Sequence, residues 1–371
     1  MTSVLTSDRP LPEISAVLPT DSLPTHYLAA EQQLIQLLAM EDLDRQIEVR
    51  PELTANLEAA IATALTIAYG SNYSAEDEAA AHLFLQRILY RINRLNLFWY
   101  DDLQSYKNER SLYLQCWRDT IEQAWQAWEL AQIEVDRLPL DEVKQALIAR
   151  GEADLNPPVT ANKRYLREEM SAAGYRHLLA IASLDGLVEA SRLSRILGGA
   201  SNEIQATLIR VLLEEYGNGR FSRKHSTFFA KMMAEMGLNT EPEYYLDLVP
   251  WELLASINHN FLLTECKRHF LRYNGGLTYF EIAGPSIYQD YKIAAERLQL
   301  SDTAMGYWEL HIKEDERHGQ WMLHEVALPL ADKYPENAWE LLLGYDQEKW
   351  IGDRAGNAVI RAIEQAENKR F

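Results

Sequence analysis

The segment WELHIKEDERHGQW, residues 308–321, places His311, Asp315 and His318 at successive spacings of four and three residues. On a helix of 3.6 residues per turn these positions fall within about 60° of one another, so two imidazoles and a carboxylate share one face. Such a set suits iron, manganese or zinc, and it lacks the thiolates of a structural zinc site. Tyr307, Trp308, Met322 and Val326 extend the same face at helical offsets, which predicts burial. Buried ionisable groups must be paired or metal-bound. Glu314 and Glu316 belong to the other, charged flank and are expected to face solvent.

Three donors underfill a metal site, so further ligands must come from other apolar helices. Glu281 is the one acid in GGLTYFEIAGPSIY, where an unpaired carboxylate would be costly. LIRVLLEEYGNGRFSRKHSTFF offers Glu214, Glu215 and His225. A straight helix would aim Glu215 and His225 about 80° apart, but Gly217 and Gly219 between them permit a bulge or local unwinding that turns both inward. Glu214 replaces Glu215 if the bulge falls differently. LLAIASLDGLVEASRL carries Glu189 in an apolar setting, with Asp185 one turn earlier. His26, His82, His177, His259, His269 and His324 have no such company and read as structural or surface residues.

The elements that must position these residues are helices. EQQLIQLLAMEDL, LTANLEAAIATALTIAYG, EDEAAAHLFLQRILYRINRL and YLQCWRDTIEQAWQAWELAQIE repeat apolar residues at three and four spacing, and alternating β-branched runs are absent. The chain is therefore expected to be all-α. Gly151, Pro157 and Pro158 in RGEADLNPPVTANKRY mark the best internal boundary. This divides the chain into a Pro/Ser/Thr-rich flexible tail (1–24), an N-terminal helical unit (25–155) and a second helical unit (160–371). Helices in the second unit are expected near 164–198, 201–237, 249–298, 301–332 and 336–367, with Ser201 and Ser301 as N-caps and a break or kink at Pro285.

With 371 residues and a net charge of −19 the chain has ample core material, and its acidity argues against nucleic acid or anionic lipid as a partner. Cys116 and Cys266 are far apart and make no CxxC pair, which fits a reducing, cytoplasmic setting. No apolar run approaches a membrane span, and the first residues lack the features of a signal peptide.

The order of these residues resembles the heme-oxygenase-like diiron oxidases and oxygenases, also called iron-containing redox enzymes. The shared pattern is a Glu and a His around one helix, a Glu on a later apolar helix, then His-x3-Asp-x2-His, and it covers about 160–371. The resemblance implies a heme-oxygenase-like helical bundle preceded by an accessory, dimerisation-type helical domain. It makes Glu215, His225, Glu281, His311, Asp315 and His318 iron ligands, with Glu281 as the bridge. Glu189 resembles the extra carboxylate ligand of the N-oxygenating branch, so Glu189 and Glu281 carry the catalytic roles. The cupin domain that follows in a guanidine N-oxygenase of that branch has no counterpart in these residues, and its rearrangement chemistry is not expected. Implied cofactors are two Fe(II)/Fe(III) ions, with O2 as co-substrate and an external reductant. The four carboxylates Glu189, Glu215, Glu281 and Asp315 balance two ferrous ions while three neutral imidazoles complete the sites. The implied reaction is N-hydroxylation of an amine, guanidine or amino-acid-derived small molecule through a peroxo-diferric intermediate, in a homodimer. Oxidative C–C cleavage of an amino acid or fatty acid is the alternative on the same site, and a non-catalytic helical interaction protein is the alternative of another class.

Overall fold

The computed structural model describes residues 18–100, 102–134, 137–198 and 203–368. Among these residues the regular elements are helices, with no β-strand, as the periodicity predicts. The first helices are α1 (Thr25–Leu38), α2 (Leu43–Val49), α3 (Ala55–Tyr69), α4 (Ala75–Asn93), α5 (Leu112–Leu130) and α6 (Leu140–Leu155). After the short α7 (Ala161–Arg164) come α8 (Ala172–Gly186), α9 (Glu203–Glu215), α10 (His225–Glu235), α11 (Trp251–Glu265), α12 (Phe270–Arg297), α13 (Asp302–Trp321), α14 (Leu328–Lys333) and α15 (Trp339–Asn368).

Helix starts follow side-chain chemistry. Ser74, Ser111, Thr160, Ser171 and Ser301 each accept a hydrogen bond from a backbone N–H in the first turn, satisfying a donor that has no intrahelical partner. Ser301 is thus the N-cap expected of it, whereas Ser201 lies outside the described residues. α6 runs through Gly151 and ends at Leu155, two residues before Pro157, because a proline restricts the residue before it.

Three expected helices are interrupted, the first being the 164–198 stretch, in which α8 runs only from Ala172 to Gly186. The 201–237 stretch is α9 and α10 separated by a turn in which Gly217, Asn218 and Gly219 all have positive φ (61°, 53° and 78°). Glycine reaches that region without a Cβ penalty and asparagine at modest cost, so the turn redirects the chain between Glu215 and His225. The 249–298 stretch is α11 and α12, parted near Cys266 rather than at Pro285. α12 continues through Pro285 without a break. An interior proline costs about 3 kcal/mol, and packing along α13 and α15 offsets it.

Three apolar cores follow from the amphipathic faces. α1 to α5 surround one core, closed by Leu254, Ala255, Ile257 and Phe261 of α11. A second joins α6, α9, α12, α14 and α15; α6 enters it through Val143 and Leu147, so it packs with helices that follow the Pro157–Pro158 stretch. The third joins α8, α10, α13 and the C-terminal half of α15. α12 and α15 cross in backbone contact: a Cβ added at Gly275 would overlap the Leu341 carbonyl, and one at Gly344 the Arg272 carbonyl. Between the second and third cores the ends of α8 and α9, the start of α10 and the middles of α12 and α13 converge.

Candidate metal centre

Each element delivers its ligand-type residue for a local reason. α13 presents His311, Asp315 and His318 on its buried face, at 4%, 1% and 0% exposure, together with Tyr307, Trp308 and Met322, which are buried as the extended face predicts. α12 brings Glu281 across from it. Glu215 is the last residue of α9 and His225 the first of α10, and the glycine turn between them folds both toward α13. Glu189 is in the turn after α8 rather than inside a helix, and the adjoining Ala190 adopts φ 60°, a left-handed conformation uncommon for a residue with a side chain. All seven residues named from the sequence therefore meet in one buried pocket.

Their donor atoms form two overlapping groups. Ligand atoms of Glu189, Glu215, His225 and His311 lie within 4.8 Å of one another, and so do those of Glu215, Asp315 and His318. His225 Nδ1 is 2.9 Å from Glu215 Oε2 and 3.1 Å from His311 Nε2. His311 Nε2 is 3.8 Å from Glu189 Oε2. His318 Nδ1 is 3.3 Å from Glu281 Oε2 and 3.7 Å from both Glu215 Oε1 and Asp315 Oδ1. The carboxylate common to both groups is Glu215, and Glu281 stands beside the second group through His318.

The outward nitrogens are held as well. His311 Nδ1 is 3.0 Å from the Tyr307 carbonyl, so this nitrogen donates and Nε2 keeps its lone pair. His225 Nε2 is 3.0 Å from Glu314 Oε2, and His318 Nε2 is 2.9 Å from Glu214 Oε2. The expectation that Glu314 faces solvent is thereby corrected: it bends back onto His225, whereas Glu316 is exposed. Glu215 lies inside the cluster and Glu214 flanks it against His318 Nε2.

Burial and the mutual repulsion of the carboxylates govern protonation in this pocket. Burial pushes the Glu189 carboxyl well above its ordinary range, with the Glu215 charge adding to the effect. Burial, then the charges of Glu281, Glu215 and Glu189, does the same to Asp315. Glu281 is raised by burial despite the His318 hydrogen bond. Burial also acts on Glu215, but the hydrogen bond and charge of His225, with His311 and His318 behind it, outweigh burial and bring Glu215 down to about 2. Burial opposes protonation of His225 and His318, yet the former is raised to about 10 by Glu215 and Glu314 and the latter to about 9, led by Glu281. His311 is pushed down to about 4 by burial.

A metal fits this donor set. Among the described residues, both oxygens of Asp315 and Oε1 of Glu189 are buried without a hydrogen-bond partner. Leaving such atoms unsatisfied is expensive, and a cation between them removes the cost.

Around the pocket stands an aromatic wall that sequence spacing only partly reveals. The Tyr307 hydroxyl donates to Glu189 Oε2. Tyr288, seven residues after Glu281 on the same face of α12, has its ring 4.9 Å from His311 and stacks on Trp308 at 5.6 Å; that i, i+7 relation was the available signal. Phe280 and Tyr279, which precede Glu281 on α12, turn away from the pocket: Phe280 is 45% exposed, and Tyr279 packs on Tyr345. Asp185, one turn before Glu189 in sequence, is 2.5 Å from Arg192 and engaged in that ion pair. The six other histidines lie outside the cluster; His82, for example, stacks on Trp251 at 4.2 Å.

Comparison with known proteins agrees with this chemistry. The family model for iron-containing redox enzymes matches residues 176–347. Over 199 residues the chain is 28% identical to the nitrosourea synthase of Streptomyces achromogenes subsp. streptozoticus, covering 53% of this chain. That alignment spans 41% of the relative's length, less than half of it. Among the described residues no helix is long and apolar enough to cross a membrane. Residues 176–347, the stretch that the iron-containing redox enzyme model matches, carry the buried histidine and carboxylate cluster.

Proposed function

We propose that this protein is a non-haem diiron, dioxygen-activating oxygenase that hydroxylates a nitrogen of an amine or guanidine group on an amino-acid-derived small molecule. The observation that carries the reading is the pair of overlapping donor groups joined at Glu215. In this reading Glu189, Glu215, His225 and His311 hold one ion, and Glu215, Asp315 and His318, with Glu281 beside them, hold the other. Four ionised carboxylates would offset the four positive charges of two ferrous ions, leaving the filled pocket neutral.

Two bound ferrous ions supply the electrons that activate O2 for oxygen transfer to a nitrogen lone pair. The chain's own part is to orient and to exclude water. The Tyr307 hydroxyl fixes the direction of the Glu189 carboxylate. Tyr288 and Trp308 stack beside His311 and keep that side of the pocket dry. Support for nitrogen rather than carbon as the oxidised atom comes from Glu189, the additional carboxylate, and from the relative whose name specifies a nitrosourea product. Repeated turnover needs an external reductant. We further propose a homodimer formed through residues 25–155, a unit that exposes Phe98, Leu103 and Leu112.

The test is anaerobic reconstitution with Fe(II), iron quantitation, then exposure to O2 with a panel of amines, guanidines and amino acids. About two irons per chain and a product heavier by one oxygen on nitrogen are expected. One iron or none, or products shortened at carbon, would count against it.

A further inference from the structure

The pocket is built from two pairs of consecutive acids, Glu214–Glu215 at the end of α9 and Glu314–Asp315 in the middle of α13. Consecutive helical residues diverge by about 100°, so only one member of each pair enters the cluster. Glu215 and Asp315 do, and both are buried. Glu214 and Glu314 remain at the rim, their side chains 20% and 22% exposed. Neither is idle. Glu214 reaches from α9 to His318 on α13, and Glu314 reaches from α13 to His225 on α10. Arg317 in turn holds Glu214 at 3.0 Å.

We propose that Glu214 and Glu314 are positioning residues: each accepts the outward ring N–H of one histidine, and so fixes Nδ1 of His318 and Nδ1 of His225 as the nitrogens that face the metal centre. The inference rests on the diiron reading above. Its physical basis is that a ligating imidazole must present a lone pair, and the hydrogen bond on its other nitrogen decides which one. His311 obtains this from the Tyr307 carbonyl on its own helix and presents Nε2. His225, at the first position of α10, and His318 have no such backbone acceptor among the described residues, and the rim carboxylates take that place. A carboxylate also makes the ring a stronger donor to metal than a carbonyl does. The two interactions run from α9 to α13 and from α13 to α10, adding to the Glu215–His225 contact that already spans the glycine turn.

The same atoms permit a competing use, since Glu214, Glu314 and His318 also have ligand atoms within 4.8 Å of one another. An additional cation at the rim would occupy the oxygens that otherwise receive the ring protons. Cobalt separates the two, because Co(II) shifts the ring N–H proton of each ligating histidine to a distinct position in the proton NMR spectrum. Full-length protein would be titrated anaerobically with Co(II), alongside Glu214→Ala, Glu214→Gln, Glu314→Ala and Glu314→Gln, with circular dichroism of each metal-free variant as the folding check.

Wild type is expected to bind two cobalt ions and show three shifted exchangeable ring signals. Each alanine variant should bind one of its ions about 10- to 100-fold more weakly and lose one ring signal to solvent exchange. The glutamine variants, whose side-chain carbonyl still accepts, should retain the signal and most of the affinity. A third cobalt in wild type that disappears in the variants would overturn the proposal. So would alanine variants with unchanged affinities and signals, or glutamine variants as impaired as alanine. Wild type that binds no cobalt would instead overturn the diiron reading, and this inference with it.

Discussion

His225 Nδ1 stands 3.1 Å from His311 Nε2, with Glu215 Oε2 2.9 Å from the same His225 nitrogen. Without a metal, one proton must sit between acceptors here, and the environment supplies it: His225 is raised to about 10 and His318 to about 9. Ligation requires both rings to lose a proton from the inward nitrogen, while Glu189 and Asp315, whose protonated forms burial favours, must ionise. Metal uptake at pH 7 is therefore expected to release protons. Since the metal-free pKa values lie above neutrality, affinity should rise about tenfold or more per pH unit between pH 6 and 8. Calorimetric titration with Fe(II) or Co(II) in buffers of different ionisation enthalpy counts the protons; release of fewer than one per chain contradicts this account.

A second expectation follows from Asp315, which is 1% exposed and whose oxygens have no hydrogen-bond partner among the described residues. In the metal-free protein this carboxyl is a liability. Asp315→Ala should raise the stability of the metal-free form by about 1–2 kcal/mol, the order of cost of a buried unsatisfied polar group, while weakening metal uptake. Urea denaturation with and without metal tests both halves. A variant less stable than wild type in the absence of metal would show that Asp315 has a partner in the folded protein.

Much of this arrangement was legible in the sequence because helical periodicity is local. The spacing of His311, Asp315 and His318 sets their shared face whatever surrounds them, and the apolar run around Glu281 signals burial directly. Gly217 and Gly219 announced a turn. Other features depend on neighbours that no local pattern reports. Whether Glu314 turns outward or onto His225 is decided by where α10 begins, and the place of Glu215 in both donor groups by how α9 meets α13. Asp185 reads as an available carboxylate until Arg192 is seen beside it. The passage of α12 through Pro285 reflects tertiary packing outweighing a local penalty.

The junction between the N-terminal helices and α15 has its own pH dependence. Glu129 is fully buried, accepting from Trp125 Nε1 at 2.7 Å and from Gln347 Nε2 at 3.0 Å, with Arg354 Nη1 3.9 Å away. Burial, partly opposed by Arg354 and these hydrogen bonds, raises its carboxyl to about 7. A carboxyl raised on folding binds its proton more tightly in the folded state, so its penalty is absent below the unfolded value near 4.5 and complete above 7. Stability should fall by about 2–3 kcal/mol from this group as pH rises across that window. Guanidinium denaturation of metal-free protein at pH 5 and pH 8 measures the change, and Glu129→Gln should flatten it. An unaltered profile in that variant would assign the pH dependence to other groups.

Tyr307 offers the sharpest separation of orientation from ligation. Its hydroxyl donates to Glu189 while its ring lies 4.2 Å from the His311 ring, and its backbone carbonyl holds His311 Nδ1. Tyr307→Phe removes the first contact and keeps the other two. Because Glu189 would still reach the metal through its carboxylate, metal content should stay at the wild-type level. Without the hydroxyl, the Glu189 carboxylate is free to rotate and one of its oxygens loses a buried hydrogen bond, worth about 1–2 kcal/mol when the acceptor is charged. If that energy holds the productive orientation, turnover should drop about 5- to 30-fold at unchanged iron content. Iron quantitation paired with product formation reads both quantities. Loss of iron in parallel with turnover would place Tyr307 in metal retention instead, and unchanged turnover would mean that the Glu189 orientation is fixed by the left-handed Ala190 turn alone.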